Sequence, residues 1–461
     1  MRKLEILLPI VLGVSLSWPA PCPLAVELLP ALAVVVAVAH LLLEGYRWQM
    51  IPLYALAVGL AVTAWVGAGR SWEMTTAASL AALGALVVAA ALPVLLPVPR
   101  IPAPRGPHRV GTRTFELVDE SRRERYSGKD EPRRIRIQAW FPSRVRPADR
   151  RAPWLPNAVT TARAFAVSQG LPRFFLDHVA LTRPPAFMDA DIDRSAGRLP
   201  VLLFSHGWEG FAAQNTAQAL HLASHGYVVV AVEHAYGAIV SVFSDGTVAR
   251  CDPRILSLDM PRDELEASGR SVLEQWTGDL GFALDFLGSQ HAAADSPFAG
   301  SLDMDRVGAF GHSNGGGAAI QFAGTDARCR AVFGEDPFLR SVSLEVRERG
   351  VAHPSFFMFS QEWADEPESR NNELLDEFLS RTSCSLGVVS VRGTRHYDFS
   401  DLPLVSPLAR VLGLKGPING RRVVSIVNEY LLGFFDMTLK GTRSTLVDDA
   451  GRYPEVRPMR A

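Results

Sequence analysis

RVGAFGHSNGGGAAIQFA, residues 306–323, decides how the rest of the chain is read. An apolar run, Arg306–Gly311, leads into Gly311-His312-Ser313-Asn314-Gly315, and a helix-prone run, 314–323, leads out. The pattern Gly-x-Ser-x-Gly predicts a strand that turns sharply at Ser313 and leaves as a helix. Glycine stands two residues to either side because a Cβ there would clash. Such a turn lifts the serine hydroxyl above the strand ends. The motif alone arises by chance about 0.2 times in a chain of this length, so its flanks carry the argument. A glycine-rich turn with an incidental serine is the alternative, and it leaves the strand before and the helix after unexplained.

Working outward, strand-like and helix-like segments alternate. Arg133–Ser143 (RRIRIQAWFPS) alternates polar and apolar residues, as a half-exposed edge strand does. Val201–Ser205 and Tyr227–Val232 are nearly continuous apolar runs, suited to central parallel strands covered on both faces. Between them, Ala213–Ser224 reads as a helix that stops at Gly226. Arg330–Gly334, Ser355–Ser360 and Leu386–Val391 are further strands, and 263–289, 366–381 and 421–439 further helices. This alternation predicts a mostly parallel sheet with helices on both faces. Combined with the serine turn, it makes residues 109–445 an α/β-hydrolase domain.

The first hundred residues are different. They hold nine charged side chains, leaving 86 for the other 361 residues, about 24%, which is ordinary for a water-soluble domain. Four apolar stretches, 4–18, 25–43, 50–68 and 75–97, predict an all-α transmembrane module of four helices over residues 1–99. The first stretch follows Met1-Arg2-Lys3, and a signal peptide is its alternative. No small-x-small cleavage site stands around Ser17-Trp18-Pro19, and further spans follow at once. Tyr46, Trp48, Trp65 and Trp72 sit near segment ends, as aromatic residues do at a headgroup boundary. With four spans, Arg2, Lys3, Arg47, Arg100, Arg105 and Arg109 fall on one side and only Arg70, near Glu73, on the other. The N-terminus and the hydrolase domain are therefore expected in the cytoplasm. His40 reads as a helix-packing or interface histidine. Residues 100–108 form a Pro-rich linker, and 446–461 a loose polar tail. A net charge of −1 argues against a nucleic-acid partner. Cys22, Cys251, Cys329 and Cys384 contain no C-x-x-C pair, which speaks against a cysteine zinc site or a disulfide scaffold.

A serine hydroxyl needs a base, and the base an orienting acid. In this fold the chain order is nucleophile, acid, histidine. Downstream of Ser313 stand His353 and His396. His396 follows a strand in the loop Gly393-Thr394-Arg395-His396, whereas His353 precedes a strand, at the wrong end of the sheet. The acid stays open among Asp336, at the end of a strand directly after the serine helix, its neighbour Glu335, and Glu362. Asp398 and Asp401 read as loop caps. For the oxyanion hole, backbone N–H groups of Asn314 and of Trp208, after the strand LPVLLFS, are the candidates. His206, His221 and His225 tempt a metal reading, but no H-E-x-x-H pattern or third ligand accompanies them. No metal and no cofactor are expected.

The chain also carries, in order, Pro153-Trp154-Leu155-Pro156-Asn157, LPVLLFSHGWEGF, LASHGYVVVAVEH, GHSNGG, FGEDPF, PSFFMFSQE and VRGTRHYDFSDLP. Over about residues 109–440 this set resembles the platelet-activating-factor acetylhydrolases, lipoprotein-associated phospholipase A2 among them. The resemblance implies Ser313 as nucleophile, Asp336 as acid, His396 as base, and Trp208 and Asn314 as oxyanion donors. It implies a serine esterase that hydrolyses short or oxidised sn-2 acyl esters of phospholipids without calcium, through an acyl-enzyme; the apolar first hundred residues, which the best-known members lack, add the expectation of a membrane anchor. Trp208-Glu209-Gly210 departs from the Leu-Gly that often follows His-Gly in that family, which bears on the acyl pocket. Residues 158–189, with Phe165, Phe174, Phe175, Leu176 and Phe187, form either a lipid-facing lid or a plain cover of the core. A general short-chain carboxylesterase or polyester hydrolase is the alternative function, and a catalytically dead tethered binding protein the second.

Overall fold

The computed structural model describes residues 2–17, 23–67, 76–366, 369–443 and 452–459. Trp18, Cys22, Arg70, Trp72 and Glu73 lie outside them, as does half of the expected tail.

Four apolar helices come first: α1 (Lys3–Ser17), α2 (Pro23–Ala39, extended by a wider turn over His40–Glu44), α3 (Ile51–Gly67) and α4 (Thr76–Leu95). Two helical stretches, Trp48–Val66 and Ala77–Leu95, are long and apolar enough to cross a membrane; Leu28–Glu44 is shorter. The helices bury Leu8, Leu12, Leu53 and Ala57 against one another yet turn Val35, Leu42, Trp65 and Val88 outward. Helices apolar on every side do not suit water. One end of the bundle is polar. Glu5 accepts from Arg2 Nε and from Arg47 Nη1, both at 2.9 Å, and Arg47 Nη2 donates to the Leu96 carbonyl at 2.8 Å. His40 joins this network through Arg2 Nη2 at 3.3 Å and bonds Tyr54 Oη at 2.6 Å with its other ring nitrogen.

The hydrolase domain hangs from that end. Its strands are β1 (Arg109–Arg123), β2 (Pro132–Arg144), β3 (Ala186–Met188), β4 (Asp191–Ile192), β5 (Leu199–Ser205) and β6 (Val228–Glu233). A small hairpin, β7 (Val240–Val242) and β8 (Val248–Arg250), stands apart. Then follow β9 (Leu302–His312), β10 (Cys329–Glu335), β11 (Ser355–Ser360), β12 (Ser385–Val391) and β13 (Val456–Pro458). The helices are α5 (Ala158–Ser168), α6 (Thr216–Ser224), α7 (Arg262–Ala292), α8 (Asn314–Thr325), α9 (Leu344–Arg349), α10 (Gln361–Ala364), α11 (Arg370–Leu379) and α12 (Gly420–Leu439).

The main sheet runs β13-β12-β11-β10-β9-β5-β6-β2-β1-β3, with β4 beside β2. From β12 to β6 every pairing is parallel. Adjacent residues face opposite sides, so Phe356 packs toward Phe333 and Phe434 of α12 while Phe357 packs toward Phe378 of α11. The fold is α/β-hydrolase-like, with helices on both faces.

Two expectations are corrected. Arg133–Ser143 is no edge: β2 lies inside the sheet between β6 and β1. Its polar residues are buried because partners reach them: Arg133 takes Glu124 and Asp279, Arg136 takes Glu233, and Gln138 donates to Thr112. The chain end is no loose tail. Val456–Pro458 adds an antiparallel strand to β12, Tyr453 is buried, and Glu455 holds Arg422 at 2.9 Å. Gly226 stands at positive φ (91°) after α6, as the helix stop requires. Among the described residues Cys251, Cys329 and Cys384 are free.

The helical bundle touches the domain through the expected lid segment. Trp48 Nε1 donates to the Phe175 carbonyl at 3.0 Å, its ring meets Phe174 edge-on, and the Gln49 amide bonds His178 Nδ1 at 2.8 Å.

Candidate active site

The parallel strands β9, β10 and β11 end side by side, and the turns after them meet there. Leaving β9, Ser313 sits at φ 59°, ψ −125° before α8 begins. A non-glycine residue in that region is strained and needs its surroundings to hold it. Here the Ser313 amide donates to the Glu335 carbonyl, and the Ser313 carbonyl accepts from Phe338, both at 2.9 Å. A Cβ on Gly311 would run into the Gly315 carbonyl, and one on Gly315 into the carbonyls of Ser205 and His206. Both glycines of the motif are thus required by close packing.

Asp336, the residue after β10, also has positive φ (42°), which turns its side chain toward the next strand end. Its Oδ1 accepts from the Ser360 amide at 2.7 Å and its Oδ2 from His396 Nδ1 at 3.0 Å. His396 opens a short turn, His396–Phe399, after β12. Its imidazole is stacked on Trp363 at 4.3 Å, with 5° between planes, and meets the His312 ring at 4.4 Å on another side. His312 Nε2 donates to the His396 carbonyl at 2.9 Å, and the His396 amide donates to Glu362 at 2.9 Å. Burial disfavours charge on both partners of the pair, lowering His396 and raising Asp336. The imidazole is therefore neutral at neutral pH and able to take a proton.

Ser313, His396, Trp208 and Asn314 line one cavity of about 450 Å³, with Phe165, Phe338 and Trp363 among its apolar walls. Trp208 and Asn314 lie on the two turns that flank the serine, after β5 and at the start of α8. Neither backbone amide has a hydrogen-bond partner among the described residues. A hydroxyl raised beside a neutral imidazole, with two free amides nearby, is an arrangement suited to attack on an ester carbonyl.

The other candidates stand elsewhere. Glu335 faces away from His396 and accepts from Asn215 at 3.0 Å, with burial pushing its carboxyl well up. Glu362 reaches the His396 backbone. Asp398 caps the Arg395 and Gly416 amides, and Asp401 accepts from the Ala217 amide. His353 precedes β11, at the opposite end of the parallel strands from Ser313. His221 and His225 lie against each other, centroids 4.4 Å apart and planes tilted by 53°. One group of ligand-type atoms clusters among the described residues, Glu5, His40 and Glu44. It lies in the helical bundle, where Arg2 and Arg47 already hold Glu5.

Within the segment 158–189, Phe165 lines the cavity while Phe174 and Phe175 pack on Trp48. Sequence reasoning passed over Trp363 and His312, the two rings that hold His396. Neither carried a signal beyond being next to a motif.

The family model described as platelet-activating factor acetylhydrolase, isoform II, matches residues 96–268 and 282–446. A platelet-activating factor acetylhydrolase of Cavia porcellus is 26% identical over 261 residues, covering 53% of this chain and 59% of that protein. The alignments thus span about three fifths of the length of the first curated relatives. A Gallus gallus protein of the same name is 24% identical, covering 76% of this chain and 88% of its own length. A probable 1-alkyl-2-acetylglycerophosphocholine esterase of Arthroderma benhamiae is also 24% identical, covering 77% and 92%. Among solved structures, a ferulic acid esterase from Streptomyces cinnamoneus superposes with a TM-score of 0.65 at 24% identity, covering 79% of this chain and all of that one. That likeness concerns the fold.

Proposed function

The chain belongs to the platelet-activating factor acetylhydrolase isoform II family; from that membership we propose a serine esterase acting on phospholipids, and from the apolar helices that precede the matched region, its anchoring in a membrane. Its substrates are phospholipids with a short or oxidised sn-2 acyl chain, cleaved without calcium through an acyl-enzyme. In this reading Ser313 is the nucleophile and His396 the base that takes its proton. Asp336 orients the imidazole and stabilises its charged form. The Trp208 and Asn314 amides receive the carbonyl oxygen as it becomes an oxyanion. The acyl group passes to Ser313, the leaving alcohol takes the proton from His396, and water activated by the same imidazole releases the acid.

One observation carries the proposal: the His396–Asp336 pair opens on the same cavity as a strained Ser313. Fluorophosphonate labelling of the purified chain tests the esterase. A substrate panel of short p-nitrophenyl esters, an sn-2 acetyl phospholipid and a polyester film tests the substrate class. Labelling that vanishes in Ser313→Ala is expected, with phospholipid turnover above both other substrates. Phospholipid turnover at background beside brisk p-nitrophenyl ester cleavage would leave a general carboxylesterase. Trp208 and Glu209 at the cavity, where relatives often carry smaller residues, are what speaks for that second reading.

The helical bundle is the anchor in this proposal, with four spans and the hydrolase domain on the cytoplasmic side. Support comes from Arg2, Arg47 and Leu96, which meet at the bundle end that faces the domain, as an up-and-down bundle of four would bring them. Tethering holds the cavity near bilayer substrate and raises its effective concentration. A reporter fused to the C-terminus reads the sidedness.

A further inference from the structure

Ser205, the last residue of β5, donates its hydroxyl to His234 Nε2 at 2.9 Å, and His234 Nδ1 donates to Asp279 Oδ2 at 2.9 Å. These three side chains have the connectivity of a catalytic triad. All are fully buried, so no substrate reaches this serine. What the group does reach is the turn after β5. The His234 amide donates to His206 Nε2 at 3.1 Å, and His206 Nδ1 donates to the Gly207 carbonyl at 2.7 Å. Gly210 donates to the same carbonyl at 2.9 Å. With Nε2 accepting and Nδ1 donating, His206 is fixed in one neutral tautomer. Burial keeps it neutral, lowering it to about 3.

The Gly207 carbonyl and the Trp208 N–H belong to one planar trans peptide and point in opposite directions. Pinning the carbonyl therefore aims the N–H. The plane lies close to the reaction centre: a Cβ on Gly207 would stand 3.2 Å from that of Ser313. Glycine gives this peptide freedom to rotate, so something must hold it.

We propose that His206 is the positioning residue of the oxyanion hole, holding the Gly207 carbonyl so that the Trp208 N–H faces the developing charge, with Ser205, His234 and Asp279 as its rigid backing. The inference rests on the esterase reading given above. The backing is stiff for identifiable reasons. Arg133 and Arg122 both bind Asp279, and the Trp276 ring lies flat on His234 at 4.2 Å, with 6° between planes. The same indole faces His206 at 5.2 Å and stacks on Trp208 at 6.0 Å.

The test uses the full chain, p-nitrophenyl acetate as substrate, and a trifluoromethyl ketone whose hemiketal oxyanion occupies the same hole. His206→Leu is expected to lower kcat about 100-fold, leave KM within about twofold, and weaken the ketone by the same factor as kcat. His206→Asn keeps an N–H where Nδ1 stands and should recover most of the loss. If kcat falls while ketone affinity holds, or if asparagine performs no better than leucine, the proposal is overturned. Should the leucine variant fail to fold, Ser205→Ala removes one hydrogen bond of the backing. Its kcat and ketone affinity should fall together, about fivefold, and a fall in neither overturns the proposal. A parent that neither labels nor turns over ester overturns the esterase reading and this one with it. An active parent whose His206→Leu kinetics are unchanged overturns this inference alone.

Discussion

Two serine–histidine–aspartate groups lie in this domain, one at the ends of β9, β10 and β12, the other behind β5 and β6. The buried group, Ser205, His234 and Asp279, has both hydrogen bonds made at 2.9 Å. The proposed catalytic group, Ser313, His396 and Asp336, is linked by one at 3.0 Å between histidine and acid. Connectivity alone would select Ser205. What separates the two is backbone and surroundings. Ser313 stands at φ 59° over a cavity, whereas Ser205 ends a regular strand in the interior. The acids differ in the same way. Asp279 is bound by two guanidiniums and lowered, because Arg133 and His234 outweigh the burial that opposes its charge. Among the described residues Asp336 pairs with His396 and with no arginine, and burial raises it. A charge fully neutralised by arginine builds a scaffold; one left on a histidine tunes a base.

The sharpest way to break this comparison is to exchange the serines. Ser313→Ala should lower esterase kcat by about 10⁶-fold and abolish fluorophosphonate labelling. Ser205→Ala should keep the label. Labelling that follows Ser205 instead would reverse the assignment. Next in size is the acid. Asp336→Asn should cost about 10⁴-fold in kcat by leaving the imidazole in the wrong tautomer. Because burial raises the Asp336 carboxyl, losing its charge should not lower the melting temperature at pH 8. Activity loss without stability loss is the signature to look for.

Asp279→Asn should do the opposite. It removes one of the two counter-charges of buried Arg133, leaving Glu124, and a loss of about 3 kcal/mol in unfolding free energy is expected, measured by urea titration. The pH dependence follows with a definite sign. A carboxyl held below its ordinary value when folded contributes stability above a pH of about 4, and that stability is lost as pH falls further. The parent should therefore lose stability below that pH, and Asp279→Asn should show a shallower acid dependence.

How far these groups were legible from the residues depended on the range of the force that sets them. Ser313 was legible because the strained turn dictates glycine at 311 and 315, a purely local demand. His396 was legible through chain order after β12. The choice between Asp336 and Glu335 was not, on the residues alone. It turns on a positive φ at Asp336 that aims one of two adjacent carboxylates across to β11; the family resemblance supplied it. The alternation in Arg133–Ser143 was misread as a water-facing edge because the partners of Arg133 come from the turn just after β1 and from α7, and Asp279 is 146 residues away. The end strand Val456–Pro458 was missed for a like reason, since three residues gain regularity only by lying on β12.

The smallest effect tests the surroundings of the base itself. Trp363 covers one face of His396, and exclusion of water by burial is what lowers that imidazole. Trp363→Ala removes the cover but leaves the hydrogen bond of the ring to Asp336. Water then reaches the imidazole, its charged form is less disfavoured, and its pKa moves up toward the ordinary value of about 6.5. The base must be neutral to take the proton of Ser313, so the acid limb of kcat/KM should shift to higher pH. At pH 8, where the imidazole is neutral in both proteins, the loss should be about tenfold or less, from a less well held ring. A uniform loss at every pH, with the acid limb in place, would show that Trp363 packs the ring without setting its proton affinity. The contrast with His234 would then rest on the arginines alone, since that ring too has an indole, Trp276, across its face.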